Sequence, residues 1–163
     1  MKNNKKSGVS LIILITMIVI ALVLLTLSVI AVGSTVQNSS ISAFGNDLKE
    51  VEDACGARYI ENGLSSFDVI DKNDILKLVG DKNKEEFKKE LELNGDNLEN
   101  PFLIVDLEKI GVNKSTRGNG NYKNGENDVY VLTPDTLHAY YLKGITVKGT
   151  TYFSITSKVK ELL

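Results

Sequence analysis

Cys55 and His138 are side chains of the types that act in nucleophilic catalysis, and each type occurs once in this 163-residue chain. His138 alternates with apolar residues inside a predicted strand, and Cys55 belongs to the apolar stripe of a predicted helix. Neither residue has the sequence context of a Ser/His/Asp set or a Cys/His pair. Zinc-protease, Cys-x-x-Cys, Walker and dinucleotide-binding motifs do not occur in the sequence. We therefore expect a protein that is not an enzyme, with Cys55 as an inert core thiol.

Oxygen ligands suited to a hard cation occur in residues 113–128, a stretch without apolar periodicity between two predicted strands. Glu126, Asn127 and Asp128 are the candidate calcium ligands. Their spacing is not that of an EF-hand, and three positive charges lie in the same stretch, on Lys114, Arg117 and Lys123. We interpret 113–128 as an exposed contact loop and expect no cofactor, with calcium as the alternative.

The same loop is the candidate contact for DNA, with Tyr122 available to stack on a base. The cations that would contact phosphates are Lys114, Arg117, Lys123 and Lys143. The whole chain has 19 Lys and Arg against 21 Asp and Glu, and its net charge is −2. Because nucleic-acid binders usually carry a basic face, this balance disfavours DNA as a partner.

The most informative segment is Val9–Val32, which contains no charged residue, proline or glycine. As a helix it would span roughly 36 Å, against ~30 Å for the hydrocarbon core of a bilayer. The run is also longer than the apolar part of a cleaved signal peptide. Lysines precede it at positions 2, 5 and 6, so the positive-inside rule places the N-terminus in the cytoplasm. The sequence predicts a single-pass membrane protein with an extracellular head.

The junction Lys5-Lys6-Ser7-Gly8-Val9-Ser10-Leu11-Ile12 resembles the class III leader of type IV pilins and pseudopilins of Gram-positive type. The resemblance implies that a prepilin peptidase cleaves between Gly8 and Val9 and that Val9 is then methylated. It also implies the partners of the chain, which are other pilin subunits, a membrane platform protein, an assembly ATPase and membrane lipid. The residues that would pack in the filament core are Leu11, Ile12, Ile13, Leu14, Ile18 and Leu22.

One position departs from the family pattern. Pilins usually have Glu as the fifth residue after the cleavage site, where its carboxylate is thought to pair with the amino terminus of a neighbouring subunit. Ile13 occupies that position here. Since a buried ammonium group without a partner is costly, the difference favours a minor or tip subunit over a typical major one.

Apolar residues continue beyond the membrane run at spacings of mostly three and four, which predicts an amphipathic helix to about Asn62. The stripe consists of Val36, Ile41, Phe44, Leu48, Val51, Cys55 and Tyr59. A coiled-coil stalk is disfavoured because the stripe covers only about three heptads and because Gly45 and Gly56 interrupt the helix that carries it.

Two short helices and a set of strands are predicted for the rest of the chain. The helices are Ile75–Val79, with N-cap candidates at 71–74 and a stop at Gly80, and Lys84–Leu93, with a stop at Asn94-Gly95. The predicted strands are Phe102–Leu107, Val129–Leu132, Leu137–Leu142, and a hairpin of Ile145–Val147 and Thr150–Ile155. No helix long enough for a parallel crossover separates them, which favours an antiparallel meander. One face would cover the helix stripe, and the other would meet solvent or a partner.

Together these features predict an α+β chain with a pilin-like fold, in which a long N-terminal helix packs on an antiparallel β-meander. Its segments are a leader (1–8), a transmembrane and filament-core helix (9–33), an amphipathic second half of that helix (34–62) and a globular head (63–163). Residues 129–155 also resemble the heads of Gram-positive pilin-like proteins. The resemblance implies a structural subunit of an extracytoplasmic filament that serves adhesion, motility, secretion or competence. The alternative is an uncleaved, membrane-anchored surface protein whose β domain binds a ligand.

Overall fold

The computed structural model describes residues 5–63, 65, 67–112 and 115–155, without the side chains of 5–12 and 21–38. Leader residues 1–4 and the side chains at positions 9, 11, 12 and 22 therefore lie outside the described part, as does Lys114. The described chain is α+β, as predicted. It divides into two compact units between Ser39 and Ser40.

Helix α1 spans Lys5–Asn62 and contributes to both units. In the first unit, the described side chains are those of residues 13–20 and of Ser39, and all of them are exposed. Within the described residues, no helix meets both the length and the hydropathy needed to cross a membrane. Most of the apolar run Val9–Val32 has side chains outside that description.

In the second unit, the part of α1 between residues 40 and 62 buries the predicted stripe. Its buried members are Ile41, Phe44, Leu48, Val51 and Cys55, and Tyr59 is half-buried. The side chain of Val36 lies outside the described residues. The spacing of three and four thus places these side chains on one face of the helix.

The head contains a four-stranded antiparallel sheet and a separate two-stranded hairpin. The sheet has the order β1-β2-β3-β4, and strands that follow each other in the chain are neighbours. Its strands are β1 Asp68–Ile70, β2 Phe102–Val105, β3 Tyr130–Leu132 and β4 Ala139–Tyr141. In its register Leu103 lies opposite Leu132, and Leu132 lies opposite Ala139. The hairpin consists of β5 Ile145–Val147 and β6 Thr150–Tyr152.

The predicted strands are confirmed in type; Ile145–Val147 has the expected bounds, and the others are shorter than expected. β2 ends at Val105 because Asp106 starts a turn, in which its carboxylate accepts a hydrogen bond from the Lys109 N–H at 3.2 Å. β4 begins after Leu137, whose φ of 59° belongs to a turn closed by its N–H and the carbonyl of Thr133. β1 was not predicted, because a strand of three residues with two apolar side chains has no readable alternation.

Two short helices precede β2, as predicted. Helix α2 spans Lys72–Val79, and the Asp71 carboxylate caps it by accepting bonds from the N–H groups of Asn73 and Asp74 at 2.7 and 3.0 Å. Gly80 ends it with a φ of 80°, a conformation that glycine adopts without strain. Helix α3 spans Lys84–Leu93.

Both faces of the sheet are covered. On one face, α1 packs against Leu103, Val105, Tyr130, Leu132, Ala139 and Tyr141. On the other, α2 and α3 pack against Phe102, Ile104, Val131 and Tyr140 through Ile75, Val79, Phe87 and Leu91. The prediction of a second face open to solvent or a partner is therefore wrong. The apolar side chains of the two short helices supply its cover, so the sheet is the middle layer of three.

The outer edge of β4 is also occupied. The Ala139 N–H donates to the carboxylate of Glu52 on α1 at 3.0 Å. The Tyr141 N–H donates to the carbonyl of Phe153, just beyond β6, at 2.8 Å. An unpaired strand edge can recruit other chains, and these two contacts use the outward N–H groups of β4 within the head.

Candidate functional site

The first candidate site is the described part of the predicted packing segment, residues 13–20. Seven of its eight side chains are large and apolar, and each is between 51% and 67% exposed. They lie on every side of the helix, because successive residues are rotated by about 100°. The eighth residue, Thr16, donates its hydroxyl to the carbonyl of Ile13 at 2.9 Å. This surface is therefore apolar all round and presents no unsatisfied hydroxyl.

The second candidate is His138, whose Nδ1 lies 2.9 Å from Oδ2 of Asp96. Asp96 is 8% exposed, whereas 40% of the His138 side chain is exposed. The Tyr140 hydroxyl donates to the same carboxylate oxygen at 2.6 Å, and the Thr136 hydroxyl donates to the other oxygen at 2.6 Å. Burial and the Asp96 carboxylate raise the pKa of the Tyr140 hydroxyl, so it stays protonated and donates.

This cluster continues into the core through Asn94. The Asn94 amide donates to the hydroxyl oxygens of Tyr140 at 3.1 Å and of Ser154 at 2.9 Å. The Ser154 hydroxyl donates in turn to the carboxylate of Glu90 at 2.9 Å. The result is a chain of hydrogen bonds from a half-exposed histidine to a buried glutamate on α3. A buried polar network of this kind stabilises a core when its groups are satisfied.

A carboxylate that orients a histidine also occurs in catalytic triads, but a nucleophile is needed as well. Within the described chain, no hydroxyl or thiol hydrogen-bonds to Nε2 of His138. Cys55 lies on the α1 face of the sheet, whereas Tyr140 and its partners lie on the opposite face. Burial, and then the charge of Glu52, raise the pKa of the Cys55 thiol to about 12. The hydrogen bonds of the cluster link α3 to β4 and to the chain beyond β6, and the Cys55 thiol is not activated.

The third candidate is the predicted loop 113–128 between β2 and β3, of which residues 115–128 are described. Arg117 forms a largely buried ion pair with Asp47 on α1, and its guanidinium lies 6.0 Å from the ring centroid of Phe44. Gly118, at φ 81°, lies so close to the ring of Tyr130 that a Cβ atom would overlap it. The loop is thus attached to the helix layer of the head and to β3.

Two of the three candidate calcium ligands, Glu126 and Asp128, are engaged in separate structural contacts. Oε2 of Glu126 accepts the N–H of Asn121 at 2.8 Å. Oδ1 of Asp128 accepts the N–H of Gly118 at 2.8 Å and the hydroxyl of Tyr141 at 2.7 Å. Among the residues that the structure describes, no three His, Cys, Asp or Glu side chains are grouped as metal ligands would be.

Two of the candidate DNA-contacting cations, Arg117 and Lys123, lie beside carboxylates in the described part of the chain. Arg117 pairs with Asp47, and Lys123 lies 3.7 Å from the carboxylate of Asp68. The Tyr122 hydroxyl donates to the same Asp68 carboxylate at 3.1 Å. Each of these groups faces an acidic residue that a phosphate backbone would have to displace.

Comparison with known proteins adds no relative. No protein-family model, curated protein or solved structure matches the chain. Its function is therefore inferred from its own residues and their geometry.

Sequence reasoning did not find the polar cluster of Glu90, Asn94, Asp96 and Tyr140. Its contacts join residues 40 to 64 positions apart, and no motif or spacing connects them. The available signal was Asn94-Gly95-Asp96 at the end of α3, which also reads as an ordinary helix stop.

Proposed function

We propose that this protein is a structural subunit of a type IV pilus-like extracytoplasmic filament. In this proposal a prepilin peptidase cleaves the leader between Gly8 and Val9, and the new N-terminus is methylated. The apolar helix then leaves the bilayer and packs against the same helix of neighbouring subunits. The chain acts by assembly and not by catalysis, and a platform protein and an ATPase drive the assembly.

The observation that carries the proposal is the exposure of residues 13–20. Large apolar side chains that are more than half exposed on all sides of a helix are not accounted for by packing against the other residues that the structure describes. Lipid and an apolar helix bundle are the two environments that such a surface fits. A subunit that moves from membrane to filament core meets both environments in succession.

The head supports the same proposal. In it, an amphipathic helix from Ser40 to Asn62 precedes the sheet and packs on its face through Phe44, Leu48 and Val51. The order of helix and antiparallel sheet agrees with the fold of the pilin-like proteins whose leaders and heads residues 5–12 and 129–155 resemble. The proposed fold therefore continues α1 as a two-part helix, with an apolar first half and an amphipathic second half.

Ile13 favours a minor or tip position for the proposed subunit. Its side chain is 51% exposed and cannot neutralise the amino terminus of a neighbour. A subunit of this kind is accommodated most readily where few copies are needed, because each missing carboxylate leaves one ammonium group without its partner.

The deciding experiment is intact-mass and N-terminal peptide analysis of the protein from its native membrane, with and without the prepilin peptidase. The proposal expects a chain that begins at N-methylated Val9 and that is lost when the peptidase is absent. A chain that retains Lys5, Lys6 and Gly8 in both strains would refute the filament role. It would support an uncleaved single-pass anchor that displays a binding domain at the cell surface.

A further inference from the structure

A groove of about 510 Å³ opens between the turn at 106–109 and the loop at 118–123. Its volume lies within the range of small-molecule sites, roughly 300–1,000 Å³. The floor is apolar and consists of Ile104, Val105, Leu107 and Val129, which are buried. The rim is polar and carries carboxylates, ammonium groups and side-chain amides.

The loop wall of the groove is held in place from behind. The carboxylate and the carbonyl of Asp128 accept the N–H groups of Gly118 and Gly120, at 2.8 and 2.7 Å. The Asn119 amide donates to the carbonyl of Ser115 at 3.1 Å, which leaves its own oxygen as an acceptor. These bonds fix the wall without filling the groove, so a ligand would not have to order it.

The ammonium groups on the rim retain hydrogen-bonding capacity. Nζ of Lys109 lies 3.5 Å from Asp106, and Nζ of Lys123 lies 3.7 Å from Asp68. Both distances suit ion pairs but exceed those of good hydrogen bonds. Each ammonium can therefore donate to a ligand while its charge stays balanced by the neighbouring carboxylate.

The charges on the rim nearly cancel. Asp68, Asp106 and Glu108 contribute three negative charges, and Lys109 and Lys123 contribute two positive ones. An anionic ligand would meet a slight negative excess, and a cationic ligand would gain little. The site instead offers donors and acceptors around an apolar floor.

We propose that this groove binds a neutral glycan. A sugar ring has an apolar face of C–H groups that fits the floor, and its hydroxyls both donate and accept, as the rim requires. This inference concerns the head alone and does not depend on cleavage at Gly8 or on filament assembly. Whether the head stands on a filament or on an uncleaved membrane anchor, glycan binding would make it an adhesive element at the cell surface.

The test uses the full-length chain in zwitterionic detergent micelles, which carry no sugar headgroups. Saturation-transfer NMR is recorded with maltotriose, chitotriose and lactose at millimolar concentration, and with methyl phosphate as an anionic probe. We expect transfer to at least one of the three sugars and none to methyl phosphate. No transfer to any of the sugars, or equal transfer to methyl phosphate, would overturn the proposal.

Variants of the rim locate the binding. Glu108→Ala and Lys109→Ala remove exposed groups and should each weaken sugar binding at least fivefold. Glu92→Ala, which removes an exposed carboxylate on α3 away from the groove, should leave binding unchanged. Circular dichroism checks that all three variants are folded. Undiminished binding by both rim variants would place the sugar elsewhere and contradict the assignment.

Discussion

Oε2 of Glu90 accepts a hydrogen bond from the N–H of Phe153 at 2.9 Å and thereby attaches α3 to the chain beyond β6. The same oxygen accepts the N–H and the hydroxyl of Ser154, both at 2.9 Å. The Glu90 residue is 6% exposed. Burial raises its pKa to about 7, although the three hydrogen bonds act in the opposite direction.

The raised pKa makes the stability of the head depend on pH. Below the ordinary pKa of 4.5, Glu90 is protonated in both states and its contribution to stability is fully present. As the pH rises towards 7, the unfolded chain releases the proton and the folded chain retains it, so the free energy of unfolding falls. Over this range of pH, the free energy of unfolding should fall by about 3 kcal/mol in total. Glu90→Gln keeps a neutral acceptor and should remove this part of the pH dependence.

Urea unfolding of the full-length chain in micelles between pH 4.5 and 8 measures the effect. The matched control is Glu92→Gln on the same helix, where the side chain is exposed. We expect the Glu90 variant to be more stable than the wild type at pH 8, and the control to follow the wild type. Identical pH profiles for the two variants would show that Glu90 is not the group responsible.

Cys55 should resist alkylation while the head is folded. Its side chain is fully buried, and a pKa raised from 9.0 to about 12 lowers the thiolate fraction at pH 8 about a thousandfold. Ala57→Cys, combined with Cys55→Ala, places a thiol at an exposed position of the same helix as the control. Mass spectrometry after iodoacetamide treatment should find the control labelled and Cys55 labelled only in urea. Rapid labelling of native Cys55 would contradict its burial.

Gly118 and Gly125 both have a φ of 81°. Replacing each of them with alanine therefore distinguishes the cost of the backbone conformation from the cost of steric overlap. A Cβ at Gly118 would overlap the ring of Tyr130, whereas one at Gly125 would meet nothing within 4 Å. Gly125→Ala should cost roughly 1–2 kcal/mol for the left-handed backbone alone. Gly118→Ala should cost a further ~1–3 kcal/mol, because the ring must move. Urea unfolding compares the two, and equal losses would mean that Tyr130 yields without strain.

The sequence predicted the elements of the head better than their arrangement. The stripe from Ile41 to Tyr59, the helices α2 and α3 and the hairpin are local patterns, and periodicity and caps revealed them. The cover on the second face of the sheet was missed because Phe87 and Leu91 read equally well as the buried side of a surface helix. Which surface they bury against depends on residues far apart in the chain, such as Phe102 and Tyr140.

The candidate sites also differ in whether they depend on local sequence patterns or on contacts between distant residues. The apolar character of residues 13–20 was predictable because an uninterrupted apolar run is a local property. The groove between the turn at 106–109 and the loop at 118–123 was not predictable, because its walls come from β1, the turn after β2 and the loop before β3. Asp68 and Lys123 are 55 positions apart, and their pairing depends on the sheet that joins them.

A charge in the packing segment tests the filament proposal directly. Ile18→Lys places an ammonium on a surface that we propose to bury among neighbouring helices, so assembly should be lost. Ile60→Lys is the control, because Ile60 lies at the far end of α1 and is 84% exposed. Sheared-filament and membrane fractions are blotted for both variants, and limited proteolysis checks the head. We expect Ile18→Lys to stay in the membrane fraction with a folded head and Ile60→Lys to reach the filaments. Normal incorporation of Ile18→Lys would refute packing through this segment.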